Sequence, residues 1–251
     1  MKKISSIKKK QNKYIVYFDK ECISLYTDTI IKFNLLKPRN ISDAEYKDII
    51  LYNDFVDAYN KALKLIGIKL RTKKEIKDKL SDYNKDTIDK VILLLQKNGY
   101  LCEELYISAY INDKLNLSND GPKKIQNNLE KLCLDKDKIY KQIKLISDDV
   151  WLDRINKAIK KKEKQNKKLS KSMFVKKVKS DLLLLGYPVD LINKKIDLLD
   201  SSNDFEILKS VYNKEYRKLS RKYEGENLKN KLKYSLYNKG FKIDDINKVI
   251  E

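Results

Sequence analysis

The sequence contains no histidine. Its absence removes His-based catalytic triads, imidazole metal ligands and the commonest general base together. Glycine is scarce as well. The six glycines, at positions 67, 99, 121, 186, 225 and 240, never cluster, so no Gly-rich loop can cradle the phosphates of a nucleotide. Cysteine is limited to Cys22, Cys102 and Cys133, an odd and widely spaced set without a CxxC pair. That pattern supports neither a disulfide framework nor a zinc site, and it fits the reduced thiols of a bacterial-type cytosol. No apolar run approaches the roughly 18 residues needed to span a membrane. The basic start Met1-Lys2-Lys3-Ile4 lacks the apolar stretch of a signal peptide. The adjacent carboxylates Asp148-Asp149 and Glu103-Glu104 are placed like helix starts, not like a paired acid and base. These absences predict a non-enzymatic cytoplasmic protein with no cofactor, no metal and no membrane contact.

What is present is charge. Of 251 residues, 37% are charged and the formal net charge is +20. Such a balance attracts polyanions. The competing explanation is an AT-rich coding sequence, which inflates Lys, Asn, Ile and Tyr together. Arginine stands only at Arg39, Arg71, Arg154, Arg217 and Arg221, so nearly all of the positive charge is lysine. Lysine binds phosphate as a point charge and reads base sequence poorly, so nucleic-acid binding through these lysines is expected to be non-specific and salt-sensitive. Few glycines and prolines beside 41% hydrophobic residues indicate helical structure with much solvated surface, and 17 tyrosines supply bulky packing groups.

Residues 1–35 differ from the rest. Tyr14-Ile15-Val16-Tyr17-Phe18 and Cys22-Ile23-Ser24-Leu25-Tyr26 are β-branched and aromatic runs around Asp19-Lys20-Glu21, which predicts a short hairpin with Ile4 to Ile7 as a candidate third strand. From about Ser42 the signals turn helical. Ser42 with Glu45, Thr72 with Glu75, and Asn203 with Glu206 have capping-box spacing. Asp120-Gly121-Pro122 closes a loop and opens a helix with Pro in its first turn. Gly99, Gly186 and Gly240 each follow an apolar-periodic stretch, where a left-handed residue stops a helix.

The most informative feature is an internal repeat. The frame Asp-x-Ile-x-x-x-Ile recurs at Asp86/Ile88/Ile92, Asp137/Ile139/Ile143, Asp190/Ile192/Ile196 and Asp244/Ile246/Ile250. In the last three copies Cys133-Leu134, Gly186-Tyr187 or Gly240-Phe241 stands upstream, preceded four residues earlier by Leu129, Leu182 or Leu236. Each copy therefore predicts helix, tight turn, helix, with the Asp opposing the helix dipole and the Ile pair on a buried face. A further helix is expected before each pair, over 54–68, 103–117, 148–169 and 203–223. The expected fold is mainly α. An N-terminal β-hairpin region with lead-in helices (1–53) precedes three-helix repeats over 54–101, 102–146, 147–200 and 201–251, tandem units in an extended curved array.

The residues at these places resemble the RecX family. Ala62-Leu63, Arg71-Thr72-Lys73-Lys74-Glu75-Ile76, Lys79-Leu80, Gly99-Tyr100-Leu101 and Tyr106-Ile107-Ser108-Ala109-Tyr110 are similar to its central signature. Gly121-Pro122-Lys123-Lys124-Ile125 with Leu129 is similar to its next motif. Ser180 to Gly186, and Arg221-Lys222-Tyr223-Glu224-Gly225 through Leu236, Gly240 and Phe241, resemble the C-terminal repeats of its longer members. Cys133 stands where the family usually has Gly, Cys102 where it usually has Asp or Asn, and the loop after Leu80 is about two residues short. The resemblance implies a regulator, mainly an inhibitor, of the RecA recombinase. Such a protein binds the groove of the RecA–single-stranded-DNA filament as a monomer and limits strand exchange and ATP hydrolysis.

Read from the residues alone, the signature is mainly structural: Thr72 and Glu75 form a cap, and Leu80, Ile88, Ile92 and Leu95 form core. Tyr106 and Tyr110, one turn apart, suit core-edge packing. Arg71 either pairs with an acid such as Glu103 or Glu104 or faces a partner. The leading binding candidate is the run from Arg154 to Lys179, with Lys157, Lys160, Lys161, Lys162, Lys164, Lys167, Lys168, Lys171, Lys176, Lys177 and Lys179 against Asp153 and Glu163. Arg71, Lys123 and Lys124 complete the candidate set for RecA or DNA contact. A solvated linker helix is the alternative reading of the run. Two other functions stay open: a non-specific nucleic-acid-binding repeat protein without a RecA partner, and a scaffold for an acidic protein.

Overall fold

The alternating run at the amino terminus pairs as predicted and recruits one strand more. β1 (Lys2–Lys10), β2 (Lys13–Phe18) and β3 (Cys22–Tyr26) are antiparallel neighbours. β4 (Asn40–Ile41) joins the start of β1, giving the order β3-β2-β1-β4. The computed structural model describes residues 1–18, 21–197 and 204–250. The expected hairpin corner at Asp19-Lys20 and the Asn203 cap lie outside the described residues.

The period-2 pattern puts Ile4, Val16, Phe18 and Leu25 on one face, buried with Ile30, Leu35, Ile41 and Ile49. Ile30 belongs to α1 (Thr27–Lys32) and Ile49 to α2 (Asp43–Ile68), so helices cover the small sheet. Ser42 caps α2 by accepting the Glu45 amide at 3.1 Å, but the reciprocal half of the predicted capping box does not form, because the Glu45 carboxylate pairs with Arg39 instead. The helix expected from residue 54 thus begins at Asp43. Ile49 and Val56, seven residues apart, are buried on the same helical face, so the lead-in and the first repeat helix are one continuous rod.

The chain divides into two compact units, Met1–Ile107 with Leu132–Leu134, and Ser108–Lys131 with the chain from Asp135 onward. The first contains the sheet, α1, α2, α3 (Lys73–Lys79) and α4 (Lys85–Lys97). Thr72 and Glu75 form the predicted capping box: the Glu75 amide donates to Thr72 Oγ1 at 3.1 Å and the Thr72 amide to Glu75 Oε2 at 2.8 Å. Ala58, Ala62, Ile76, Leu80, Val91, Ile92 and Leu95 make the helical core of this unit. A polar clamp that the sequence did not reveal ties sheet to helices. The Asp57 carboxylate of α2 accepts from the hydroxyls of Tyr26 and Tyr83 and lies 3.6 Å from the Lys13 ammonium.

The helices that follow are α5 (Glu103–Leu117), α6 (Pro122–Glu130), α7 (Lys136–Lys144), α8 (Asp148–Gln165), α9 (Lys171–Leu184), α10 (Val189–Ile196), α11 (Asp204–Leu219), α12 (Gly225–Asn238) and α13 (Ile243–Ile250). Each recurring Asp stands in the first turn of α4, α7, α10 or α13, as its charge suggests. Leu129, Leu182 and Leu236 are fully buried, each stabilising the fold by about 1.5–3 kcal/mol.

One joint recurs, in which the start of a helix seats on a left-handed turn from further along the chain. In the second unit the Gly121 amide donates to the Leu185 carbonyl at 2.7 Å and the Lys123 amide to Gly186 at 3.1 Å. A Cβ on Gly121 would lie 2.7 Å from the Gly186 carbonyl carbon, and one on Gly186, at φ +84°, 2.5 Å from the Lys124 nitrogen. Only two glycines permit that approach. Ser172 Oγ likewise donates to the Gly240 carbonyl at 3.0 Å, with Gly240 at φ +83°. In the first unit the corresponding turn is Leu132–Leu134, where Cys133 has φ +58° and its Sγ lies 3.7 Å from Lys74 Nζ.

Candidate nucleic-acid interface

The basic run from Arg154 to Lys179 lies on α8, the following turn and α9 as far as Lys179. Its apolar residues decide which lysines face water. Trp151, Ile155 and Ile159, four residues apart, bury one stripe of α8, which leaves Lys157, Lys160, Lys161 and Lys164 exposed on the rest of its surface. The helix stops at Gln165, short of the expected 169. Asn166 folds the chain over instead: its side chain accepts the Leu169 amide at 3.0 Å and donates to the Leu169 carbonyl at 2.9 Å. Ser170 then caps α9 by accepting the Met173 amide at 3.3 Å. Phe174 and Val178 bury the inner face of α9, so Lys176 and Lys177 point outward.

The turn encloses a bay of about 500 Å³ lined by Lys162, Lys167, Lys168, Phe174, Lys177 and Asp181. Lys162 is held by Asp181 at 2.5 Å, and Lys157 by Asp153 at 2.7 Å. Lys160, Lys161, Lys164, Lys167, Lys168, Lys176 and Lys177 are exposed and form no ion pair among the described residues. Seven like charges without internal compensation repel one another, and a polyanion relieves that repulsion. The aromatic residues of this region, Trp151 and Phe174, are buried, so its chemistry is that of phosphate contact.

The other candidates are scattered. Arg154 points inward. Its guanidinium donates to the carbonyls of Leu115 and Ser118, the latter at 2.6 Å, and lies 3.4–3.5 Å from those of Lys114 and Asp120. It thereby satisfies the orphan carbonyls at the end of α5. Tyr187 closes the same pocket, its hydroxyl donating to the Asn119 carbonyl at 3.1 Å. Burial pushes the Tyr187 hydroxyl up, with Arg154 opposing. Arg71 is mostly buried and pairs with Glu75 at 3.4 Å. Burial pushes the Glu75 carboxyl up, but the Thr72 amide and the Lys69 and Arg71 charges outweigh it and hold the group low. Lys124 pairs with the buried Asp120 at 2.8 Å, while Lys123 is exposed.

The signature positions are predominantly internal. Thr72, Leu80, Gly121, Ile125 and Leu129 are buried; Glu75, Tyr106, Ala109, Tyr110 and Pro122 are half-buried; Gly99 and Tyr100 are exposed. Sequence reasoning passed over a second basic stretch, on α12, where Lys229, Lys231 and Lys233 are exposed beside Tyr234 and Tyr237. The signal was present in the spacing, because Leu228, Leu232 and Leu236 take the inner face.

Among the described residues, no helix is long and apolar enough to cross a membrane. Comparison with known proteins matches residues 58–93 to the first three-helix domain of RecX and residues 202–250 to the third. The "Regulatory protein RecX" of Streptococcus uberis is 30% identical over 257 residues, covering 99% of this chain and 98% of that one. The protein of the same name from Lactococcus lactis subsp. lactis is 29% identical over 265 residues, covering 100% and 97%. Among solved structures, RecX from Lactobacillus salivarius is similar with a TM-score of 0.54 and 28% identity over 59% of this chain and 99% of that one. A second crystal structure, titled regulatory protein RecX, has a TM-score of 0.67 over 77% of this chain and 98% of its own, and at 19% identity it supports the fold alone.

Proposed function

The chain belongs to the RecX family, and from that premise we propose that it is a non-catalytic cytoplasmic regulator of the RecA recombinase, acting on the RecA–single-stranded-DNA filament. The observation that carries the DNA part of this reading is the set of seven exposed lysines on α8, α9 and the turn between them, none with an ion pair among the described residues. They neutralise phosphate without reading sequence. Each contact displaces condensed counterions and adds about 0.7 to the salt slope on a single strand.

In this reading the three-helix repeats over 54–101, 102–146, 147–200 and 201–251 each supply a modest contact, and a single chain gains affinity by making several at once. Seated in the filament groove as a monomer, it obstructs incoming duplex and the protomer motions coupled to ATP turnover. The effect is inhibition of strand exchange. Arg71 and Arg154 serve as internal supports, and Lys123 joins the exposed lysines as a contact residue.

The test is to titrate the chain into RecA filaments while following strand exchange and ATP hydrolysis. Both are expected to fall, and no change at stoichiometric excess rejects the reading. Binding to naked single-stranded DNA, to RecA alone and to the filament across a salt series separates the rivals. A general nucleic-acid binder holds naked DNA and ignores RecA. A scaffold for an acidic protein shows no DNA affinity near physiological salt.

A further inference from the structure

We infer that the outward face of α12 is a second nucleic-acid contact, which holds unpaired bases by stacking on Tyr234 and Tyr237 while Lys229 and Lys233 neutralise phosphate. It rests on the reading above that the chain binds single-stranded DNA, and it adds a site and a binding mode that the α8–α9 region lacks. The helix is split cleanly by its own spacing. Leu228, Leu232 and Leu236 bury one stripe, and Leu236 packs with Leu208, Val211, Phe241 and Ile246. On the surface left over, Tyr234 is 67% exposed and Tyr237 58%. Three residues apart on a helix, their side chains are neighbours.

The two rings differ from four other exposed aromatics and share their bareness with Tyr100, which stands alone in the first unit. The Phe205 ring has Lys209 above it, Tyr223 has Lys231, Tyr140 has Lys144, and Tyr216 leans on Tyr212 at 5.8 Å. Among the described residues, neither Tyr234 nor Tyr237 meets another ring or a cation. Their π faces are therefore open. Along the helix the charge has one sign: from Lys229 to Lys242 there are five lysines and no carboxylate, and the carboxylate that approaches from α11, Glu215, is taken up by Ser235 and Lys239. Lys239 is held by Glu215 at 2.5 Å, whereas Lys229 and Lys233 are exposed without an ion pair among the described residues.

Open aromatic faces flanked by unpaired cations fit a single-stranded polynucleotide, because every base offers a π face and every linkage a negative charge. A duplex keeps its bases stacked on each other and offers this convex helix only phosphates. A basic protein is repelled. An acidic protein would satisfy the lysines and leave two bare rings unexplained.

The experiment measures binding of the full chain to labelled oligo(dT), to the same strand carrying abasic sites, and to a duplex. The wild-type chain is expected to bind the abasic strand at least about fivefold more weakly, the low end of what one lost base stack produces. Tyr234→Ala with Tyr237→Ala is expected to lose comparable affinity for oligo(dT), to stop distinguishing the abasic strand, and to keep its salt slope. Both rings are exposed, so the urea midpoint of this variant should stay in place. The paired Tyr→Phe variant should bind like wild type. Lys229→Ser with Lys233→Ser should instead make the salt slope shallower by about 0.7 per lost contact. Undiminished oligo(dT) binding by the alanine variant, equal wild-type binding of intact and abasic strands, or loss of RecA binding with DNA binding unchanged overturns the inference alone. Absence of wild-type DNA binding in every arm would overturn the broader reading with it.

Discussion

The turn at Gly186 and the turn at Cys133 occupy the same place in successive repeats, yet one is glycine and the other is not. Both backbones are left-handed, at φ +84° and +58°. What differs is the neighbour. At Gly186 the main chain of Lys124 comes to 2.5 Å of where a Cβ would sit, so no side chain fits. At Cys133 the facing start of α3 leaves a cavity of about 280 Å³ lined by Thr72, Lys74, Glu103, Cys133 and Leu134, and the thiol is exposed. A left-handed turn alone costs a non-glycine residue about 1–2 kcal/mol, which a fold tolerates. A backbone in contact is not negotiable. The two units also differ in the polar clamp that braces them: Asp57 gathers hydroxyls and an ammonium in the first, and Arg154 gathers carbonyls in the second.

The contrast between the two turns breaks most visibly at Gly186. Gly186→Ala should destabilise the second unit by roughly 2–4 kcal/mol, combining left-handed strain with displacement of the Gly121–Lys124 backbone. Urea unfolding measures it, and a loss below the strain alone would show that the joint is soft. Arg154→Met comes next. It preserves packing volume but orphans the carbonyls at the end of α5, and a loss of about 1.5–3 kcal/mol is expected from charged hydrogen bonds of this kind. An unchanged urea midpoint would mean that water replaces the guanidinium freely.

Cys133→Gly sharpens the comparison from the other side. It removes the strain without meeting a neighbour, so a gain of about 0.5–1 kcal/mol is expected after the added backbone entropy of glycine. A loss of stability would show that the thiol contact with Lys74 matters more than the turn. The smallest effect concerns the Asp57 clamp and appears only with pH. Burial pushes the Asp57 carboxyl up, but the hydroxyls of Tyr26 and Tyr83 and the Lys13 ammonium outweigh it and hold it below the usual carboxylate range. A group with a depressed folded pKa contributes stability that is present above its unfolded pKa and lost as pH falls through the folded one. The stability difference between wild type and Asp57→Asn should therefore shrink as pH drops from neutrality below the carboxylate range. A constant difference would exclude ionisation as its source.

Much of this was legible in local patterns. The strands at 14–18 and 22–26, the Thr72–Glu75 cap, the first-turn aspartates and the left-handed Gly186 and Gly240 all follow from rules that act within one or two turns of chain. The extra strand at Asn40–Ile41 was not legible, because two residues carry no periodicity. Arg154 read as the head of a basic run, since sequence gives the charge of a side chain but not the direction it points. Tyr234 and Tyr237 are indistinguishable in sequence from packing tyrosines for the same reason.

By itself, then, the sequence determined the helical repeat, its turns and an excess of lysine without imidazole chemistry, since propensity, capping and charge are properties of neighbouring residues. Tertiary structure alone decided which lysines stay uncompensated, where Arg154 and Asp57 place their charges, and which turn must be glycine. Those outcomes depend on atoms brought together from distant parts of the chain, and close packing settles them by contact.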